Sequence, residues 1–102
     1  MKLLFETECK LNKKIRISIE HWEHIKTIKH PEVEGLEENI KQTLINPLEI
    51  KRSSSDKDIY LYYSNYKIYF LCVVVKHSNG NGFIITSYIT SKIKKGDIVW
   101  KP

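Results

Sequence analysis

The chain has no long apolar run. Its longest, Phe70 to Val75, is six residues, far short of the roughly 20 that a helix needs to cross a bilayer, so no membrane partner is expected. The start, Met1-Lys2-Leu3-Leu4-Phe5-Glu6, sets three apolar residues between charges. That is too few for the apolar stretch of a secretion signal, and a cytoplasmic location is expected. Cysteine is scarce, with only Cys9 and Cys72; a reducing compartment keeps such thiols free rather than paired. No internal repeat and no linker interrupts the sequence, and 102 residues can close one hydrophobic core but hardly two. Residues 1–102 are therefore expected to form a single domain. With 41% hydrophobic and 28% charged residues, the chain is too apolar to be disordered.

Charge is present but unevenly placed. Between Ile19 and Glu49 there are three basic and seven acidic side chains, net −4, which leaves fourteen basic against five acidic elsewhere, net +9. If the first stretch is helical and the remainder mostly sheet, the positive potential belongs to the sheet and its loops, where a polyanion would be drawn. Scattered lysines that only keep the domain soluble are the plainer alternative.

The expected fold class is α+β, with an N-terminal short hairpin and two helices packed on an antiparallel sheet of about four strands. Leu3 to Cys9 and Lys14 to Ile17 read as the hairpin. Ser18 offers a side-chain oxygen to a helix starting at Ile19, with Glu20 at its positive end, and this helix runs to Lys29. His30-Pro31-Glu32 stops it, since proline disfavours a helical residue before it. A second helix fits Glu34 to Ile45, where Leu36, Ile40 and Leu44 form one apolar stripe. From Leu48 on, segments rich in β-branched and aromatic residues read as strands: Leu48 to Ile50, Asp58 to Tyr63, Tyr66 to Lys76, Gly82 to Thr90 and Ile98 to Trp100. Ser64-Asn65 and Ser78 to Gly82 supply turns. Short links make neighbouring strands antiparallel, and the continuous apolar run Phe70 to Val75 predicts a central strand covered on both faces.

Three of the four histidines, His21, His24 and His30, lie within ten residues of one another. Imidazole is the side chain best placed to exchange protons near neutral pH, so the group invites an acid-base reading, although capping a helix end is an ordinary role for such residues. The pattern is not His-Glu-x-x-His, and the cysteines are not at ligand spacing, so no metal or other cofactor is expected. On the strands, Thr86, Tyr88 and Thr90 share one face by their alternation and Lys76 ends the apolar run; hydroxyls beside a lysine can grip a phosphate, while a plain wet sheet face is the more ordinary explanation. Five tyrosines from Tyr60 to Tyr69 suit either base stacking or cross-strand packing.

Taken together, Trp22-x-His24-Ile25, His30-Pro31-Glu32, Asn46-Pro47-x-x-Ile50, Leu61-Tyr62-Tyr63, Val73-Val74-Val75-Lys76, Phe83-Ile84-x-Thr86-x-Tyr88-x-Thr90 and Lys94-x-Gly96-x-x-x-Trp100 resemble the phage-type branch of the barnase, EndoU, colicin and RelE-like nuclease superfamily. The likeness covers Ile17 to Trp100. It implies RNA bound across the concave sheet face and cut without metal. His24 and His30 are then the acid-base candidates, Lys76 the phosphate clamp, and Thr86 and Thr90 the phosphate or oxyanion donors. His21, Tyr62, Tyr88, Lys92 and Lys94 are expected to contact RNA, and a neutralising protein partner is a further expectation. The sequence departs from the barnase pattern in having no strand glutamate placed as general base and no arginine beyond Arg52 among the strands. A non-catalytic RNA-binding module and a protein-interaction domain are the alternatives.

Overall fold

The computed structural model describes residues 2–102. Strands β1 (Leu3–Glu8) and β2 (Lys14–Ser18) lead into helix α1 (Ile19–His24), which loosens into a π-turn at Ile25–Lys29 and a 3₁₀ turn at Pro31–Val33. Helix α2 (Glu37–Ile45) follows, then β3 (Glu49–Arg52), β4 (Ile59–Tyr66), β5 (Tyr69–Ser78), β6 (Asn81–Thr90) and β7 (Asp97–Trp100). All seven strands form one sheet in the order β1-β2-β6-β5-β4-β3-β7.

That sheet corrects the expected four antiparallel strands. The N-terminal hairpin is part of the sheet, because β2 pairs with β6, and it does so in parallel. The chain between β2 and β6 passes through both helices and three strands, so no short link sets their relative direction. At the opposite side, β3 pairs with both β4 and β7. Gly82 makes the parallel contact possible: a Cβ there would lie 2.6 Å from the Lys76 carbonyl oxygen and 2.8 Å from Ile15 Cδ1.

β5 is central and buried on both faces, as the unbroken apolar run implies. Leu71, Val73 and Val75 join Ile15, Ile17 and Ile84 in the main core, beneath Ile40 and Leu44 of α2. Cys72 joins Leu61 and Tyr63 in a smaller cluster on the opposite face. The helix α2 begins later than expected because Gly35, at φ +83, turns the chain after Val33. The β4–β5 turn falls at Lys67-Ile68, with Lys67 at φ 55, instead of at Ser64-Asn65. Ser64 is held inside β4 by a 2.6 Å hydrogen bond between its hydroxyl and that of Thr43 on α2.

Ser18 caps α1 as its sequence position implies, its Oγ accepting from the His21 amide at 3.0 Å. β2 pairs with β6 only as far as Arg16 opposite Phe83. Beyond that point the α1 segment borders β6, and His21 Nε2 donates to the Ile85 carbonyl at 2.8 Å. No helix among the described residues is long and apolar enough to cross a membrane.

Candidate functional site

The sheet face opposite α2 carries the polar groups of β6. Thr86 stands opposite Val74, and Tyr88 opposite Cys72. In an antiparallel pair, opposed residues point the same way, so Thr86 and Tyr88 share the face of the smaller cluster. A β-bulge between Val74 and Val75 leaves that alternation intact. Ile59, Leu61 and Val74 form the apolar floor of a cleft of about 350 Å³ on this face. Thr86, Tyr88, Lys94, Lys95 and the Ser53–Ser55 loop line the rest of it.

Lys94 is held by its backbone. Its amide donates to the buried Tyr63 hydroxyl at 3.1 Å, and its ammonium lies 5.8 Å from the centre of the Tyr88 ring, a cation–π distance. Gly96 anchors the same segment, since a Cβ there would come within 2.6 Å of the Arg52 carbonyl oxygen. Within the lining, Thr86 Oγ1 and Tyr88 Oη are buried and have no hydrogen-bond partner among the described residues. Burial, reinforced by the Cys72 thiol, pushes the Tyr88 hydroxyl well above the usual phenol range, so it stays protonated. The Cys72 thiol is itself pushed up to about 11 by burial.

Of the helical histidines, His30 reaches Tyr88. In the π-turn the His30 amide donates five residues back, to the Ile25 carbonyl at 2.7 Å, and Pro31 keeps His30 out of the helical conformation. The imidazole is thereby set against Tyr88, with ring centroids 5.4 Å apart. Its Nδ1 lies 3.3 Å from a Glu32 carboxylate oxygen, a contact that orients a ring and leaves its other nitrogen free. His30 and Lys94 therefore both contact the Tyr88 ring.

The other sequence candidates are placed differently. His24 is exposed, and its ring contact is with His21, centroids 6.5 Å apart. His21 is engaged by the Ile85 carbonyl and closes the gap beside β6. Lys76 lies on the cleft face of β5 but opposite Ile59 and Phe83, beyond the cleft lining. The Thr90 hydroxyl donates to the Lys92 carbonyl and accepts from the Lys92 amide, at 3.1 and 3.3 Å. It closes a turn, and Lys92 is left exposed after it. Tyr62 is the clear correction to the expected RNA contacts: it is 0% exposed, on the α2 face, and offers no stacking surface.

Tyr62 belongs to a buried chain that also contains the fourth histidine, His77. Cys9 Sγ and His77 Nε2 each lie 3.0 Å from the Tyr62 hydroxyl, and the His77 ring stacks on Tyr60 with centroids 4.0 Å apart. Burial lowers the His77 pKa to about 4, helped by the positive charges of Lys13 and Arg52 and opposed by Asp58. At neutral pH it is an uncharged core residue. The sequence held its signal, since Val73, Val75 and His77 alternate onto the core face.

Comparison with protein-family models, with curated protein sequences and with solved structures finds no match. The superfamily resemblance accordingly rests on the short motifs alone.

Proposed function

We propose that this protein binds RNA on the cleft face and cleaves it without a metal ion, with His30 as the proton-handling group. The observation that carries the reading is that Tyr88, in a cleft lined by lysine and hydroxyl side chains, is contacted by Lys94 of the lining and by His30, which adjoins the ring from outside the lining. The net charge of +5 and the two exposed lysines at the cleft draw a polyanion there.

In such a reaction a ribose 2′-hydroxyl gives up its proton and attacks the adjacent phosphate, the P–O5′ bond breaks, and the leaving 5′-oxygen takes up a proton, which leaves a 2′,3′-cyclic phosphate and a 5′-hydroxyl. His30, with Glu32 on Nδ1, moves a proton through Nε2, and Lys94 with Lys95 offsets the charge gathering on the phosphoryl oxygens. Binding without cleavage is the second reading. It is favoured by the ring contacts, since His30 meets Tyr88 while His24 meets His21, which leaves one imidazole at Tyr88 for a reaction that needs both a base and an acid.

Labelled mixed-sequence RNA incubated with the protein in EDTA separates the two. Products ending in 2′,3′-cyclic phosphate, lost in folded His30→Ala and reduced in Lys94→Ala, support the nuclease. Intact RNA that binds tightly and releases with salt supports the binder, and RNA that neither binds nor breaks removes both.

A further inference from the structure

The cleft is small, and its polarity is divided. Pockets that hold small ligands run from about 300 to about 1,000 Å³, so about 350 Å³ has room for one nucleotide and not for a run of them. Its floor is aliphatic: Leu61 and Val74 are directly opposed across β4 and β5, and Ile59 lies two residues from Leu61 on the same face. Such a floor suits the flat apolar surface of a base.

The rest of its lining suits a phosphate. Lys94 and Lys95 are exposed, and no carboxylate lines the cleft among the described residues. In the Ser53–Ser55 loop the Ser53 hydroxyl accepts from the Ser55 amide at 3.3 Å and lies 3.1 Å from the Ser55 hydroxyl. That turn adds short hydroxyl donors to the lining that Lys94 and Lys95 share. Asp56, the nearest acid in sequence, has a carboxylate oxygen engaged by the Asp58 amide at 2.9 Å. A charged head held by lysines and serines, with a flat body on the aliphatic floor, is the chemistry of a nucleoside monophosphate.

The geometry points to a single-nucleotide subsite: the cleft lined by the Ser53–Ser55 loop and Lys94–Lys95 takes one nucleoside monophosphate unit, base on the floor and phosphate against the lysines and serines. This rests on the RNA reading above and narrows it, because a site of this size accepts a phosphorylated strand end or a splayed-out nucleotide. A continuous stacked strand does not fit.

The test is NMR titration of the labelled protein with adenosine 3′-monophosphate, adenosine and inorganic phosphate, and with two octauridylates, one ending in a 3′-phosphate and one in a 3′-hydroxyl. The subsite predicts saturable shifts at Ser53 to Ser55, Thr86, Lys94 and Lys95 with the monophosphate, and affinity about tenfold weaker for adenosine and for phosphate alone. It also predicts tighter binding of the 3′-phosphorylated octamer, and a loss of about tenfold for the monophosphate in Ser55→Ala/Lys95→Ala, whose positions are exposed and leave the core untouched. Octamers that bind while the monophosphate does not, or shifts lying elsewhere, overturn the subsite and leave the RNA reading standing. Phosphate binding as tightly as the monophosphate overturns the base floor. Monophosphate binding with no octamer binding keeps the subsite and removes the RNA reading.

Discussion

Lowering the pH should destabilise this fold through His77. In the folded chain its pKa is near 4 because the ring is buried and faces Lys13 and Arg52; in the unfolded chain it returns to about 6.5. Between these values the unfolded state binds the proton and the folded state does not, so stability is complete above about pH 6.5 and falls as the pH drops toward 4. At about 1.4 kcal/mol per pH unit, the full loss is about 3 kcal/mol, of which about 2.5 is gone by pH 4.5. That is a large share of the roughly 5–15 kcal/mol stability of small domains. Urea unfolding of wild type and His77→Gln at pH 7.5 and pH 4.5 measures it, the glutamine keeping a polar partner for Tyr62 while the other titrating groups cancel between proteins. Wild type should lose about 2.5 kcal/mol more than the variant over that range. Equal losses in the two proteins would refute the assignment of a neutral buried imidazole.

Other perturbations read other parts of the structure. Tyr62→Phe removes the hydroxyl between Cys9 and His77 and should cost about 1–3 kcal/mol in chemical denaturation, since buried polar atoms are left unpaired. Gly82→Ala drives a methyl into the Lys76 carbonyl and Ile15, and should lower stability by about 1–3 kcal/mol in the same assay. Tyr63→Phe frees the Lys94 amide and should speed its hydrogen exchange, with about 1 kcal/mol of stability lost. Lys94→Ala and Lys95→Ala should each reduce the slope of log affinity against log salt by about 0.7 for single-stranded RNA. Glu32→Gln should slow any cleavage less than His30→Ala does, because it loosens the ring without removing it.

The local patterns were legible and the distant ones were not. Ser18 before Ile19, proline after His30, and the apolar run at the centre of the sheet each act over a few residues, and each element formed where those signals lie. The pairing of Arg16 with Phe83 depends on chain segments far apart in sequence, and the hairpin therefore read as separate from the sheet. Ser64-Asn65 read as a turn because polar residues favour turns, but the Thr43 hydroxyl that keeps Ser64 in β4 comes from another element. At the site, alternation put Thr86 and Tyr88 on one face correctly. The π-turn that turns His30 toward Tyr88 has no equivalent signal, and the internal partners of Thr90 and Tyr62 are visible only in three dimensions.

The parallel seam between β2 and β6 also governs when the protein can exist as a folded body. β2 has no strand on its inner edge until β6 is present, and Ile15 and Ile17 share their core with Ile84, so a ribosome must deliver most of the chain before the first strands can dock into the sheet. During that interval the N-terminal hairpin has an open edge and apolar side chains waiting in water, a period in which pairing with another nascent copy competes with self-docking. Arrested chains ending before Asn81 should therefore be far more protease-sensitive at β1 and β2 than chains extended past Thr90.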